Sequence, residues 1–323
     1  MKTNAIIRIV LFSLAIVVLL GILLFVVGFK VFSFNFLPRL NRTESPEPTS
    51  GQIGQLYFSP DIKRIEIEWV AGDIMIDARE GLNTISVFEY MGNDIAETMF
   101  CTTSGDTLKI QFSEASLKFP SFGINYNFSK DLQIVVPATW HCDELTIDAA
   151  ASNVTINDLT INDMDFEGAS GQLGFYGCSV FNLDIDTVSG DVEFDGTLEN
   201  LDFDAASANF YGTIHNCPTL LQMDSLSGKL NLSLPSDCGF TLNRDSLSGS
   251  FSSDFDIVIQ GDARIHGDGS CRIEVSGLSG NVNINKHHTD SPADCTDPNC
   301  TDTSHKHQSA KSTQTHHNES EHH

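Results

Sequence analysis

From residue 56 to residue 285, apolar and polar side chains alternate in short runs. A serine followed by a small residue punctuates them at a nearly fixed interval. Leu183-Asp-Ile-Asp-Thr-Val-Ser-Gly-Asp-Val-Glu-Phe194 shows the unit. Alternation of period two predicts strands with one face turned inward. The serines are Ser152, Ser170, Ser189, Ser207 and Ser227, spaced 18 to 20 residues apart, and Ser248 and Ser279 continue the series more loosely. Such a period predicts a solenoid, because no single coil can bury its own apolar face. Inward positions are expected six and four residues before each serine, as at Met164 and Phe166, Leu183 and Ile185, Leu201 and Phe203, Leu221 and Met223, and Ile273 and Val275. They are expected again three and five residues after it, at Leu173 and Phe175, Val192 and Phe194, Leu230 and Leu232, and Val282 and Ile284. The glycine after most serines predicts a corner with positive φ or with close approach of neighbouring coils. Asn153 suits such a corner because asparagine tolerates the left-handed region, and Ala208 departs from the pattern.

Upstream, Ile65–Val70, Asp73–Asp77, Thr84–Phe88, Thr107–Phe112 and Leu132–Val136 read as strands of less regular coils. Residues 114–130 interrupt them with Phe119, Phe122, Tyr126 and Phe128 among Gly, Ser and Asn. This insertion is either a loop folded over the solenoid or an aromatic contact lip. The predicted fold is all-β, a single-chain β-solenoid preceded by one transmembrane α-helix.

That helix is residues 9–29, an uncharged run dominated by Ile, Val, Leu and Phe. Twenty-one residues rise about 30 Å as a helix, enough to span a bilayer core. The run exceeds a signal-peptide apolar region and lacks a small-x-small cleavage site, so an uncleaved anchor is expected. Residues 1–8 are then cytoplasmic, 30–55 a Pro/Gly/Ser-rich stalk, 56–285 the extracytoplasmic solenoid and 286–323 a disordered tail. Basic residues flank the span nearly evenly and do not orient it. All 8 cysteines and six N-x-Ser/Thr sequons fall after it, which favours an outside body.

Residues 1–42 hold five basic and no acidic residues, so the remainder carries 13 basic against 43 acidic side chains. A body this acidic repels nucleic acid and anionic lipid headgroups. Cations, neutral glycans and envelope proteins remain as partners, beside the membrane that holds the anchor.

The repeated Ser189-Gly-Asp-Val192, Ser227-Gly-Lys-Leu230 and Ser279-Gly-Asn-Val282 corners behind an N-terminal anchor resemble the toast-rack family of bacterial adhesin-like proteins. The resemblance covers about residues 56–285. It implies a β-solenoid on the outer side of a bacterial membrane, with some relatives accompanying envelope-stress systems, and it transfers no catalytic residues.

Outward positions of the regular coils are acidic. Asp148, Glu167, Asp186, Asp204 and Asp224 share one register if Ala149-Ala-Ala151 holds a one-residue bulge, and Asp165, Asp184 and Asp202 share a second. Stacked strands lie about 4.8 Å apart, so these ladders are either a solvated acidic face or a place for a hard cation such as Ca²⁺. The tail holds His287, His288, His305, His307, His316, His317, His322 and His323, with Cys295 and Cys300. Imidazole and thiolate suit Zn²⁺, Ni²⁺ or copper, although the spacing matches no structural zinc motif. Cys217 and Cys238 belong to successive coils of the sequence and are either a disulfide or buried fillers. No nucleophile elbow, H-E-x-x-H or phosphate loop occurs. The expected function is therefore non-catalytic surface binding, adhesion or envelope sensing, with no required cofactor. A glycan hydrolase or lyase using two neighbouring carboxylates, and a metal-sequestering protein acting through its tail, are the alternatives.

Overall fold

The computed structural model describes residues 55–91, 99–113 and 129–287. The predicted span, most of the stalk, the four aromatic residues of the insertion and the tail beyond His287 lie outside the described residues. Among the described residues no helix is long and apolar enough to cross a membrane.

Those residues form strands that pair into parallel rungs. Each rung is two short strands joined at the serine corner. Strand geometry persists around the corners, so one strand runs without a break from Gln172 to Ile214. The expected alternation is met. Met164, Phe166, Leu183, Ile185, Leu201 and Phe203 are buried before the corner, and Leu173, Phe175, Val192, Phe194, Leu230 and Leu232 after it. Phe175, Phe203, Phe210 and Phe240 are wholly buried. Each such side chain contributes about 1.5–3 kcal/mol through removal from water. Outward neighbours such as Asp184 and Asp202 stay exposed.

The corners are tight. Gly190 has φ 138°, and a Cβ there would lie 2.0 Å from the carbonyl oxygen of Gly171 in the rung below. Gly228 lacks the positive φ but meets the Ala208 carbonyl at 2.2 Å in the same way. Asn153 is not left-handed: Asp158 is the non-glycine residue of positive φ among those described. Asn153 instead uses its side chain. Its Oδ1 accepts from the Gln172 backbone N–H and its Nδ2 donates to Asp73.

Chain order is broken at both ends of the stack. In the middle, Arg64–Arg79, His141–Asn157, Thr160–Ser170 with its continuation to 176, 179–195, 198–214 and Leu220–Pro235 follow one another. At the N-terminal end, Thr107–Gln111 and Lys130–Pro137 lie outside Arg64–Arg79, although they follow it in sequence. At the C-terminal end, Cys271–His287 pairs with Leu220–Pro235 on one side and Phe240–Ser248 on the other. The last rung in sequence is thus inserted inside the one before it. Antiparallel strands close the stack. Ile85–Met91 covers Lys130–Pro137, Phe100–Ser104 covers Thr107–Gln111, and Ala263–His266 covers Phe240–Ser248. The outermost strands, Gln55–Phe58, Phe100–Ser104, Phe251–Ser253 and Val258–Gln260, are short, which limits the row of unpaired backbone groups that otherwise invites association.

Under the N-terminal closure, Lys130 and Glu89 form an ion pair with both side chains fully buried. The Lys130 Nζ also sits 4.1 Å from the centre of the Phe112 ring and donates to the Phe112 carbonyl. The Trp69 indole N–H donates to the Lys130 carbonyl at 2.8 Å. A buried charge is retained only where it is paired and hydrogen-bonded, as here.

Candidate functional site

Each rung shows solvent one face before the corner and one after it. On the first face, pairing sets Glu68 beside Asp148, Asp148 beside Glu167, Glu167 beside Asp186, and Asp204 beside Asp224. The adjacent column sets Asp165 beside Asp184. Asn200 donates to Asn182 across the next step at 2.9 Å, which fixes the 18-residue offset and places Asp184 with Asp202 and Asp186 with Asp204. All eight carboxylates predicted in sequence therefore stand on one surface. The bulge expected at the three alanines is absent: Asp148 pairs with Glu167 and Ala151 with Ser170 at one constant offset, so Ala151 takes the serine place of this corner and Ser152 the glycine place. The carboxylates do not converge: among the described residues no three His, Cys, Asp or Glu side chains are placed to hold a metal ion.

Their proximity is costly. Burial, followed by the charges of Asp224, Asp202, Asp186 and Asp184, pushes the Asp204 carboxyl up to about 6. Asp148, Asp184 and Asp224 are raised too, by burial first and by neighbouring carboxylates second. Glu167 is raised chiefly by the charge of Asp148. The column ends differently at Glu68. Burial pushes its carboxyl up, but hydrogen bonds from Lys109 and Gln111 outweigh that and hold it below the usual range.

The second face answers the same problem with amides. Asn153 donates to Asp73 at 3.0 Å, Asn157 to Asp77 at 2.7 Å and Asn209 to Asp191 at 2.7 Å. Most carboxylates in these ladders have a donor in a neighbouring rung. Toward the middle of this face lies a shallow trough of about 350 Å³. Its floor follows the column Asp195, Thr213, Ser233 and Asn285, and its sides carry Tyr176 and Tyr211. Tyr176 lies over Gly174, where a Cβ would come within 2.8 Å of its ring. The Tyr176 hydroxyl donates to Glu193 at 2.8 Å, which raises the tyrosine's pKa. His215 contacts Asp195 at 2.8 Å and stacks on His287 at 5.3 Å between ring centres. His287 is the member of the predicted histidine set inside the described residues; His288, His305, His307, His316, His317, His322, His323, Cys295 and Cys300 lie outside them.

Cys217 and Cys238 are joined by a disulfide, Cα atoms 5.2 Å apart. The rungs that follow them, Leu220–Pro235 and Phe240–Ser248, are not neighbours as the sequence order suggested, because Cys271–His287 lies between. The bridge therefore joins the turns rather than two adjacent strands. Burial pushes the Cys101, Cys142 and Cys271 thiols up to about 12, so they are held protonated as apolar fillers.

Sequence reasoning found the acidic columns and missed the trough. Its polar residues follow from alternation as outward positions, but their grouping depends on which rungs stand side by side, with Tyr176 two rungs before Thr213 and Ser233 one rung after it.

Fold and surface together define an all-β repeat protein whose ordered polar side chains lie on its coil faces. A model of the Toastrack DUF4097 family matches residues 62–285, and the chain belongs to that family. No curated protein matches the chain. Among solved structures it is similar to a candidate cell adhesion protein from Clostridium sporogenes, at 13% identity and TM-score 0.31, over 72% of this chain and 99% of that one. It is similar to a candidate adhesin from Bacteroides fragilis at 13% identity and TM-score 0.41, over 74% and 100%. A third likeness is to a candidate lipid-binding protein from Parabacteroides distasonis, at 14% identity and TM-score 0.27, over 73% and 97%. At these scores the likenesses carry no weight for ligand or mechanism.

Proposed function

We propose that the protein is a membrane-anchored, extracytoplasmic binding module without catalytic activity, used for surface attachment or envelope sensing. One observation carries the reading: a stack of rungs with covered edges holds two broad, ordered polar faces on a single rigid core. Between the rungs from Leu145 to Pro235 the connections are short, so recognition there falls to the faces. The apolar run at 9–29 supplies the anchor. Neighbouring carboxylates of the acid face lack a converging set of ligands, which suits a diffuse cation atmosphere better than a fixed metal.

The test uses the full chain in its membrane. Protease added to intact protoplasts should release the acidic body, and cells displaying it should be retained on surfaces coated with purified envelope glycan. Removing residues 56–285 should abolish retention. Full protection of the body from protease, or equal retention without it, overturns the reading.

A further inference from the structure

The geometry points to the trough on the second face as a binding site for a neutral, linear carbohydrate. This rests on the surface-binding reading and adds a site and a ligand class to it.

Shape comes first. The column Tyr176, Asp195, Thr213, Ser233 and Asn285 crosses four rung steps, about 19 Å at ordinary strand spacing. The cavity of about 350 Å³ is thus spread along a line and not gathered into a hole. A trough of this kind fits a chain of small units lying across the rungs.

Chemistry narrows the chain. Tyr176 and Tyr211 are 40% and 37% exposed, so each offers part of a ring face. A tyrosine ring gives rigid contact area to an apolar surface and keeps a polar tip. A pyranose has such a surface, formed by its axial C–H bonds, edged by hydroxyls that both donate and accept. The trough matches those hydroxyls with side chains of both kinds. Asn231 and Asn285 donate and accept, Thr213 and Ser233 do the same, and Glu193 and Asp195 accept. Both carboxylates are already positioned. Glu193 receives the Tyr176 hydroxyl and Asp195 contacts His215, each leaving a second oxygen for the trough. Such fixing lowers the ordering cost of binding.

Other classes fit less well. No Lys or Arg lines the trough, so an anionic ligand has no counter-charge. A peptide adding as a strand needs a free sheet edge, whereas the backbone here is consumed in rung pairing.

Isothermal titration of the full chain with a β-linked glucose tetrasaccharide and an N-acetylglucosamine tetrasaccharide tests the assignment, with oligolysine as the cationic comparison. At least one oligosaccharide should bind. Tyr176→Ala and Tyr211→Ala should each weaken it about tenfold or more, the loss of one stacking face. Tyr211→Phe should retain most of the affinity. Gly174→Ala, which forces the Tyr176 ring off its seat, should weaken binding without removing any trough group. Asp262→Asn, in the distant C-terminal closure, should change nothing. Unchanged thermal melting shows that each variant is folded. Absence of binding by both sugars, affinity unchanged from the unsubstituted chain in both alanine variants, or oligolysine binding lost with the tyrosines overturns the proposal. Cell retention that survives the double tyrosine variant overturns the trough alone and leaves the surface-binding reading standing. Loss of retention by removal of the body, with sugar binding shown, supports both.

Discussion

The two outward faces of the solenoid are built on the same rungs, with the same alternation and spacing, yet they handle charge in opposite ways. Before the corner, Asp148, Glu167, Asp186, Asp204 and Asp224 stand in a file with no interleaved donor. After the corner, asparagines alternate with aspartates, so that Asn153 serves Asp73 and Asn209 serves Asp191. A repeat fold places like beside like by default. Relief comes from changing one member of a pair from acid to amide, which turns repulsion into a hydrogen bond. On the acid face Asn182 gives that relief to Asp163 alone, while Asp148, Glu167, Asp204 and Asp224 go without it and stand above their ordinary pKa values.

Three substitutions probe the contrast. The largest effect belongs to the core shared by both faces. Phe203→Asp, between Asp202 and Asp204, should cost at least about 3 kcal/mol, since it removes a wholly buried ring and buries an unpaired charge. Chemical denaturation reads the loss, and a cost no larger than that of changing Asp202 would mean that inside and outside are exchanged. Next comes the amide face. Asn209→Asp sets a carboxylate against Asp191 and loses a 2.7 Å hydrogen bond, for an expected loss of about 1–2 kcal/mol at pH 7.5.

The smallest effect is on the acid face and has the opposite sign. Asp204→Asn should stabilise the fold by less than about 1 kcal/mol at pH 7.5, because Asp204 is at the surface, only partly desolvated, and the repulsion it feels is screened by water. It should also flatten a pH dependence. A carboxyl whose folded pKa is raised binds its proton more tightly in the native state. Its contribution is complete below the unfolded pKa and is lost as pH rises through the folded value, about 6 for Asp204. Melting temperature should therefore rise as pH falls from 7.5 to 5, and less steeply in Asp204→Asn or at high salt. A melting temperature that falls over this interval would show that the acid file is relieved by something other than protons.

The repeat made much of this legible from sequence. Period-two alternation alone places Leu183, Ile185, Val192 and Phe194 inside and their neighbours outside. Asp148 falls into line with Glu167 as expected, but without the bulge that taking Ser152 as the corner serine required, because Ala151 is the residue that pairs with Ser170. Two things were hidden. Alternation says which side of a strand is apolar, not which strand lies beside it, so the rungs of Ser248 and Ser279 could not be ordered. The role of Asn153 was hidden for a related reason. A corner asparagine can relieve backbone strain or bridge rungs, and only the position of Asp73 and Gln172 decides for the bridge. The trough required the same cross-rung information, because its walls and floor are drawn from five rungs between Tyr176 and Asn285.

The inserted rung Cys271–His287 has a consequence for synthesis and for ancestry. A solenoid whose rungs follow chain order can grow by adding copies at its end and can settle as it leaves the ribosome or the export channel. This one cannot. Segment 240–253 has no seat until Cys271–His287 has arrived and docked on Leu220–Pro235, so the C-terminal quarter must wait and close as a unit. Simple duplication of the terminal segment would present a rung with no open partner, and truncation at 270 would strip two rungs of their shared neighbour. The number of coils is therefore set by the closure at the ends, and change over generations is channelled into the side chains of a stack whose length is fixed.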